Sequence, residues 1–276
     1  MKPIDRQTIL ITGATDGLGK QTALALVRLG AAVLLHGRSE ERLERTRREI
    51  QDTTGSARLE TYVADLASLA KVRTLAREVG ARHPALDMLI NNAAVGPGGP
   101  GGARRELSED GYELRFAVDY LAPFLLTHLL LPALRRTPPS RVINVGSVGQ
   151  SPLDFDNLML ERDYEPLDAY RRSKLALAMF TFDLAQEVRT DRITVNCVHP
   201  ATLMDTKMVR EFFPSSRTTV DDGLESVMRL ATDASLDGTT GRYFDRLSEA
   251  RAHPQAYDLD ARRALAALSR ELTGLR

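Results

Sequence analysis

Short apolar runs alternate with longer amphipathic segments along almost the whole chain. The runs with strand character lie at residues 8–12, 32–36, 59–63, 87–91, 141–145, 193–198 and 242–244. Helical spacing of apolar residues fills the segments near 18–29, 40–51, 68–82, 108–136, 168–189 and 219–234. Apolar strands that alternate with helices indicate a parallel sheet covered on both faces. Right-handed crossovers then predict a doubly wound α/β fold of about seven strands, with ligands bound at the carboxyl ends of the strands.

Size and composition limit the class of protein. No repeat or linker divides the 276 residues, so we expect one domain over residues 1–276. The 37 basic and 37 acidic residues give no net charge, which argues against a nucleic acid or an anionic membrane as partner. The single cysteine, Cys197, lies in an apolar run and indicates a buried thiol in a reducing compartment. No signal peptide precedes the first strand and the apolar stretch 121–134 is too short to span a membrane, so we expect a cytoplasmic protein.

A glycine-rich turn follows the first predicted strand and opens the first predicted helix. Its spacing, Gly-x3-Gly-x-Gly, differs from the GxGxxG of the common dinucleotide fingerprint. Glycines at such a turn let the backbone approach a pyrophosphate, whose charge is stabilised by the amides and the dipole of the helix start. The turn therefore predicts a dinucleotide site formed by Gly13, Thr15, Asp16, Gly17, Leu18 and Gly19.

The residues after the second strand bear on which dinucleotide binds. An NAD site usually has an acidic residue here to bind the ribose 2′-hydroxyl, whereas an arginine accommodates the 2′-phosphate of NADP. Gly37 occupies the expected acidic position, and Arg38 follows it. This favours NADP over NAD; the alternative is an exposed arginine that begins a polar helix.

Tyr170 and Lys174 form a candidate proton-transfer pair on a predicted helix. Residues four apart share one helix face, so the Lys174 ammonium can approach the tyrosine ring. A nearby cation stabilises a phenolate, and such a tyrosine can exchange a proton near neutral pH. The spacing alone is weak evidence, and its weight depends on the other motifs of the chain.

Two connections at the predicted ligand edge are candidate substrate loops. The first, near 95–107, holds the glycine- and proline-rich segment 96–102 directly after the fourth strand. The second, near 201–217, follows the sixth strand and carries Met204, Met208, Phe212 and Phe213. Apolar side chains at this edge indicate a substrate cover, or a surface helix that simply packs against the domain.

The motifs occur in an order that is specific to one family. They are Gly-x3-Gly-x-Gly at 13–19, Asp65-Leu66, Asn91-Asn92-Ala93-Ala94, Asn144 to Ser147, Tyr170-x3-Lys174 and Asn196 to Pro200. From about residue 8 to the C-terminus, the chain resembles the short-chain dehydrogenase/reductase family. The wide interval between Ser147 and Tyr170 and the closing segments 242–244 and 272–274 are similar to retinol-dehydrogenase-like bacterial members.

The resemblance implies an oxidoreductase that transfers a hydride between NADP and a carbonyl or alcohol of a small, fairly apolar substrate. Tyr170 would be the general acid and base, Lys174 would favour its ionised form and bind the nicotinamide ribose, and Ser147 would stabilise the substrate oxygen. The implied cofactor contacts are Asp65 and Leu66 at the adenine, Asn92 and Ala93 beside the ribose, and Pro200 with Thr202 or Leu203 at the carboxamide. The helices near 108–136 and 168–189 would pair subunits into a homodimer or homotetramer.

Three positions depart from the family pattern. Asp119 occupies the place of the fourth catalytic residue, usually an asparagine that is thought to hold a water relaying protons to the lysine. An ionised aspartate accepts hydrogen bonds but does not donate them, and its charge could pair with Lys174. Ala94 replaces a glycine. The segment 200–206 has an alanine for a glycine and one extra residue, which shifts the assignment of the carboxamide contact by about one position.

Other functions are compatible with parts of the pattern. The Asp119 exchange allows an NADP(H)-binding sensor or scaffold with little turnover, which the substitution Tyr170→Phe would distinguish from an enzyme. An enzyme that acts on a nucleotide sugar usually carries a larger C-terminal substrate region than this chain has. No metal site is predicted, because metal-ligand spacing is absent around the five histidines, His36, His83, His128, His199 and His253.

Overall fold

The computed structural model describes residues 2–98 and 104–275, and within them eight strands form one sheet. The strands are β1 (Thr8–Ile11), β2 (Ala32–Gly37), β3 (Leu59–Val63), β4 (Met88–Asn91), β5 (Ser140–Val145), β6 (Ile193–His199), β7 (Arg242–Asp245) and β8 (Ser248–Ala250). Their order is β3-β2-β1-β4-β5-β6-β7-β8. The first seven pair in parallel, and β8 is antiparallel to β7. The predicted doubly wound sheet is confirmed, with one further strand at its edge.

Helices cover both faces of the sheet. They are α1 (Gly17–Arg28), α2 (Glu40–Thr54), α3 (Leu69–Arg82), α4 (Leu114–Leu134), α5 (Pro166–Glu187), α6 (Lys207–Arg210), α7 (Val220–Thr232) and α8 (Leu259–Thr273). Successive side chains of a strand point to opposite faces. Ile9 and Ile11 therefore join the core beneath α1, α2 and α7, whereas Leu10 joins the core beneath α3, α4 and α5. Burial on both faces explains the continuous apolar strands.

The strand order reverses between β1 and β4. The chain passes from β1 to β2 and β3 in one direction, returns to β4 beside β1, and continues to β5 and β6 in the other. Doubly wound sheets bind ligands in the crevice outside the carboxyl ends of the strands at such a reversal. The glycine-rich turn after β1, the loop after β4 and Ser147 after β5 all follow strand ends at this edge.

Two elements differ from the prediction. The edge strand β8 is only three residues long and largely exposed, so its sequence contains no apolar run that would predict a strand. The helix predicted at 108–136 begins at Leu114, where the carboxylate of Glu113 accepts a hydrogen bond of 2.7 Å from the Phe116 amide. Within α4, Ala117–Leu121 is a π-helical segment, a feature often found at functional sites, and it carries Asp119.

The helix α4 is long and apolar enough to cross a membrane. It has 21 residues and a mean hydropathy of 1.5, so the expectation that this region is too short for a span is wrong on length. However, 83% of its apolar window is buried inside the protein, where Leu125 and Leu126 belong to the core. Packing against the sheet and the neighbouring helices therefore accounts for its composition.

The helix α8 packs against the two helices through which the resemblance implies subunit pairing. Nε of Arg262 in α8 donates to Oδ1 of Asp183 in α5 at 2.8 Å. The Ser269 hydroxyl of α8 lies 2.5 Å from the Tyr120 hydroxyl of α4. The C-terminal helix of the chain thus covers part of the predicted pairing face, and pairing through this face stays a prediction.

Candidate active site

The glycine-rich turn between β1 and α1 has no room for side chains at its key positions. Gly13 and Gly17 have φ of +67° and +48°, in the left-handed region that favours glycine. A Cβ atom on Gly13 would lie 2.8 Å from Cα of Ala93, and one on Gly19 would lie 2.3 Å from the Gly13 carbonyl oxygen. The turn therefore brings bare backbone to the start of α1, where first-turn amides lack helical partners.

Asn92 braces this turn from the neighbouring strand. Its Nδ2 donates to the carbonyl oxygens of Thr12 at 2.9 Å and Gly13 at 3.1 Å. The Thr12 hydroxyl in return accepts from the amides of Asn92 at 3.0 Å and Ala93 at 3.1 Å. The side chain of Asn92 is thus engaged with the turn itself, which makes it a positioning residue as well as a neighbour of the predicted ribose site.

His36, at the end of β2, is a second brace that the sequence analysis missed. The Gly13 amide donates to its Nδ1 at 3.3 Å, and its Nε2 lies 3.1 Å from the Ala64 carbonyl oxygen. Burial lowers its pKa to about 4, so the ring is neutral and Nε2 carries the proton that Ala64 accepts. His36 thereby links the ends of three strands. Its place directly before Gly37 is the only sequence signal for this role.

The predicted adenosine residues gather at the same edge. A Cβ on Gly37 would lie 2.7 Å from Cγ2 of Thr15, so the end of β2 packs closely on the glycine-rich turn. Arg38 follows and is exposed. After β3, Leu66 is buried, and Oδ1 of Asp65 accepts from the Ala67 amide at 3.0 Å. One carboxylate oxygen of Asp65 is thus engaged by the backbone of its own loop.

Lys174 and Tyr170 lie together on α5, as their spacing predicts. Nζ of Lys174 lies 5.5 Å from the centroid of the Tyr170 ring and donates to the Val145 carbonyl oxygen at 3.1 Å. The ammonium is buried, so this hydrogen bond fixes it at the end of β5.

Ser147 lies two residues beyond the carbonyl that holds Lys174. Its Oγ accepts from the Gly149 amide at 3.0 Å. Its carbonyl oxygen accepts from the Tyr243 hydroxyl at 2.9 Å and from Nε2 of Gln150 at 2.8 Å. A Cβ on Gly149 would lie 3.6 Å from the Arg171 side chain, so this turn lies against α5 beside Tyr170. The three predicted catalytic residues therefore lie at the same edge of the sheet, two on α5 and one in the turn after β5.

Asp119 is fully buried and contacts groups other than Lys174. Oδ1 accepts from the Val95 amide at 2.7 Å, and Oδ2 accepts from the Ser173 hydroxyl at 3.2 Å. Burial raises the pKa of Asp119 to about 6, although the charge of Lys174 and the bond from Val95 act against this rise. The sequence left open an ion pair between Asp119 and Lys174, and the described residues show none within 4 Å. Asp119 instead anchors the loop after β4.

We expect Asp119→Asn to stabilise the protein at alkaline pH. The carboxyl holds its proton to about pH 6 when folded but only to about 3.9 when unfolded, so its contribution favours folding at low pH and is lost as pH rises through 6. Asparagine carries no charge, and its Nδ2 can donate to Ser173 while Oδ1 still accepts from Val95. Urea unfolding should show a gain of about 1–3 kcal/mol at pH 8 and a smaller gain at pH 5.

Asp260→Asn is the matched control, because the Asp260 side chain is 92% exposed. Its effect on the free energy of unfolding should be the same at pH 8 and at pH 5. A loss of stability in Asp119→Asn at pH 8 would contradict the account, because it would mean that the ionised carboxylate itself is needed. Retained or increased turnover is expected if Asp119 takes the place of the family's asparagine.

A buried arginine fixes the loop after β4, and the sequence analysis did not identify it. Arg115 donates to the carbonyl oxygens of Gly96 and Pro97, both at 3.1 Å. Its Nη1 also donates to the Tyr164 hydroxyl at 2.6 Å, and Glu113 lies 3.4 Å from the same nitrogen. Charged residues in an otherwise apolar helix were the available signal. Residues 99–103 of the predicted loop lie outside the described residues.

The segment 201–217 lies against both the glycine-rich turn and the loop after β4. A Cβ on Gly96 would lie 2.3 Å from Cγ of Met208, and one on Gly98 would lie 2.8 Å from Cβ of Phe212. The Thr206 side chain is 3.2 Å from the corresponding position of Gly17. The segment is therefore placed where a cover over cofactor and substrate would lie.

The end of β6 holds the predicted carboxamide residues. Nε2 of His199 lies 3.0 Å from the Thr202 hydroxyl, and burial lowers the pKa of His199 to about 4, which fits a neutral structural histidine. The Pro200 carbonyl oxygen accepts from the Ser226 hydroxyl at 2.7 Å, and Leu203 has φ of 50°. These bonds fix the backbone that begins the covering segment.

Two further predictions concern cysteine and metal. Burial raises the pKa of Cys197 to about 12, so its thiol is protonated and structural, as its apolar surroundings predict. Within residues 2–98 and 104–275 no group of three or more His, Cys, Asp or Glu side chains is placed to hold a metal ion.

Comparison with known proteins agrees with this site. The short chain dehydrogenase family matches residues 7–217. Retinol dehydrogenase 13 of Mus musculus is 34% identical, and the match covers 99% of this chain and 85% of that protein. Retinol dehydrogenase 14 of Homo sapiens is 34% identical, and the match covers 98% of this chain and 87% of that protein. Polyprenol dehydrogenase of Mus musculus is 35% identical, with 99% and 86% covered.

Solved structures share the fold. The crystal structure of an uncharacterised protein from Mycobacterium Paratuberculosis has a TM-score of 0.80 and 28% identity, and the match covers 98% of this chain and 94% of that one. A short chain dehydrogenase from Shigella flexneri 2a, complexed with NADP, has a TM-score of 0.71 and 27% identity, with 88% and 98% covered. The strand order, the motifs at the carboxyl edge and these relatives agree: the chain belongs to the short-chain dehydrogenase family of NAD(P)-dependent oxidoreductases.

Proposed function

We propose that the protein is an NADP-dependent oxidoreductase that interconverts a carbonyl group and an alcohol in a small, fairly apolar substrate. The position of Lys174 is the observation that carries this proposal. Its ammonium is fixed on the Val145 carbonyl and lies 5.5 Å from the Tyr170 ring centroid. A proton donor, a cation and the Ser147 hydroxyl thus adjoin the crevice where a dinucleotide would bind.

The residues of the crevice fit a dinucleotide with a 2′-phosphate. The glycine-rich turn presents bare backbone at the start of α1, which suits a pyrophosphate. The Arg38 guanidinium is exposed and forms no ion pair with another described residue, so it can receive a phosphate. Two relatives support this reading, because the Shigella flexneri structure is complexed with NADP and one from Escherichia coli CFT073 with NADPH.

Other residues would hold the remaining parts of the cofactor, which supplies the hydride when bound. Asp65 and Leu66 would contact the adenine, and Asn92 with Ala93 would border the ribose. Lys174 would bind the hydroxyls of the nicotinamide ribose. The carboxamide contacts would come from the segment that begins at Pro200 and includes Thr202 and Leu203.

The side chains on α5 and after β5 would move and place the proton. The Gly149 amide already donates to Oγ of Ser147, so the serine proton remains free to bond the substrate oxygen. Tyr170 would give its proton to that oxygen in reduction and take it back in oxidation. The adjacent Lys174 ammonium would stabilise the phenolate that forms.

The surroundings of the proposed site suit an apolar substrate. Val148, next to Ser147, is 49% exposed, and Phe212 of the segment 201–217 is 39% exposed. Met208 of the same segment lies against the loop after β4. Relatives named for retinol and polyprenol, both apolar alcohols, support the same class of substrate for this chain.

Arg38→Ala tests the choice of cofactor. We expect the Kd for NADP+ to rise about tenfold or more, because a charge-assisted contact with the 2′-phosphate is lost. The Kd for NAD+, which lacks that phosphate, should stay within about twofold. Isothermal titration calorimetry measures both values. Equal losses for the two cofactors would refute the assignment of Arg38 to the phosphate.

A substrate panel tests the function as a whole. Wild-type protein is mixed with NADPH or NADH and a series of aldehydes, ketones and quinones, and the absorbance of the reduced nicotinamide is followed. We expect consumption of NADPH with apolar carbonyl compounds. Tight binding of NADPH without turnover in either direction, alcohols included, would contradict an oxidoreductase of this specificity and favour a cofactor-binding protein.

A further inference from the structure

The backbone that follows Ser147 is held by a turn near the C-terminus of the chain. This turn, residues 252–257, follows β8 and includes a short 3₁₀ helix, Pro254–Tyr257. Oε1 of Gln255 accepts from the Leu153 amide at 2.6 Å, and Nε2 of Gln255 donates to the Leu153 carbonyl oxygen at 3.0 Å. One side-chain amide thus binds both backbone groups of a residue 102 positions away in the sequence.

A second glutamine connects the same turn to the proposed catalytic serine. Oε1 of Gln150 accepts from the His253 amide at 2.7 Å, and Nε2 of Gln150 donates to the Ser147 carbonyl oxygen at 2.8 Å. Nδ1 of His253 accepts from the Gln255 amide at 3.2 Å, so the two glutamines are joined through one residue. The backbone from Ser147 to Leu153 is therefore bonded to the turn at both of its ends.

The turn is also packed on the helix that carries Tyr170. Ala256 is fully buried in the core. The ring of Tyr257 stacks on the ring of Phe182 in α5, with 5.3 Å between their centroids. The turn 252–257 therefore sets where the backbone after Ser147 lies relative to α5.

The direct hydrogen bond between this backbone and α5 is weaker. The Ser151 amide lies 3.4 Å from the Arg171 carbonyl oxygen, which is longer than an ordinary N–H···O bond. The four bonds of Gln150 and Gln255 described above are 2.6–3.0 Å long. A catalytic group that is misplaced by about 1 Å can cost about a hundredfold in rate, so the bonds that fix Ser147 matter for the reaction.

We propose that Gln150 and Gln255 are positioning residues, which hold Ser147 at the distance from Tyr170 that the reaction needs. The inference rests on the proposed function, in which Ser147 stabilises the substrate oxygen. The family match covers residues 7–217, so Gln255 acts from a part of the chain beyond that match. The turn 252–257 thereby completes the active site from the C-terminal side.

Gln255→Met tests the inference, because methionine keeps the length of the side chain and removes both bonds to Leu153. With NADPH and the carbonyl compound of the panel that the wild type reduces fastest, kcat/KM should fall about tenfold or more. The Kd for NADPH should stay within about twofold, because the lost bonds involve none of the predicted cofactor residues. Gln51→Met is the matched control. It removes a glutamine amide that accepts from Nη1 of Arg47 on α2 at 2.8 Å, and both quantities should stay at the wild-type values.

Hydrogen exchange measures the same bonds without a substrate. The backbone amides of residues 147–155 should lose protection in Gln255→Met and keep it in Gln51→Met. Unchanged protection in Gln255→Met would overturn the inference, because Gln255 would then not hold this backbone. Gln150→Met breaks the bonds to Ser147 and His253 instead, and it should also lower kcat/KM about tenfold.

Ser147→Ala separates failure of this inference from failure of the proposed function. Alone, it should lower kcat/KM about a hundredfold. If Gln255 acts through Ser147, the addition of Gln255→Met to Ser147→Ala should cause at most about a twofold further loss. The same tenfold loss in both backgrounds would overturn the inference.

The single variants complete this separation. If Gln255→Met keeps full activity while Ser147→Ala loses it, the inference fails and the proposed function stands. Full activity in Ser147→Ala would refute the proposed role of the serine, and with it the inference. Absence of turnover in the wild-type protein would refute the proposed function, and hydrogen exchange would still decide whether Gln255 holds the backbone.

Discussion

Tyr170→Phe should lower kcat/KM for carbonyl reduction by about a thousandfold, because the proposed proton donor is removed. Phenylalanine keeps the ring that lies 5.5 Å from the Lys174 ammonium, so the surrounding structure should persist. The Kd for NADPH should therefore stay within about threefold of the wild-type value. Steady-state kinetics and calorimetry on the same preparation measure the two quantities.

Tyr112→Phe is the matched control for this result. It also removes one tyrosine hydroxyl, whose hydrogen bond of 3.0 Å goes to the Leu272 carbonyl oxygen at the end of α8. Activity of this variant should stay close to wild type. If Tyr170→Phe retained comparable turnover, the proton donor would be misassigned and another group would have to supply the proton.

Gly19→Ala should weaken NADP(H) binding by about a hundredfold. The new methyl group would lie 2.3 Å from the Gly13 carbonyl oxygen and 2.4 Å from Nδ2 of Asn92. These atoms belong to the brace that shapes the turn, so the turn must shift to relieve the overlap. Overpacking of this kind costs about 1–3 kcal/mol of stability, and we expect the protein to remain folded with a distorted nucleotide site.

Gly80→Ala makes the same chemical change at a harmless position. A Cβ on Gly80, inside α3, would meet no atom within 4 Å. Its replacement by alanine should raise the free energy of unfolding by about 0.5–1 kcal/mol and leave cofactor binding unchanged. Unchanged NADP(H) affinity in Gly19→Ala, with the fold verified by circular dichroism, would show that the turn does not hold the cofactor.

The sheet is the part of this protein that its sequence predicts best. Both faces of the strands are buried, which forces continuous apolar runs, and the periodicity of the intervening helices separates those runs clearly. The edge strand β8 escapes the prediction because exposure on an edge imposes no such pattern. The π-helical segment at Ala117–Leu121 escapes it because a single added residue leaves the apolar spacing nearly unchanged.

The site was predictable only in part, because residue spacing identifies candidate catalytic side chains but not the hydrogen bonds that they form with distant segments. The i,i+4 rule places Lys174 beside Tyr170, since the helix alone determines that distance. The contacts of Asp119 with Val95 and Ser173 join three separate elements, and no local pattern encodes them. The same holds for His36 and Arg115, whose hydrogen bonds reach backbone carbonyls on distant segments.

The most direct test of the account follows the hydride itself. NADPH deuterated at the transferred position of the nicotinamide ring is incubated with wild-type protein and the best carbonyl compound of the panel, and the product is analysed by mass spectrometry. The account predicts an alcohol that carries one deuterium on its former carbonyl carbon, and almost none of it with Tyr170→Phe. Bound NADPH that transfers no deuterium to any carbonyl compound, or equal transfer in the Tyr170→Phe variant, would contradict it.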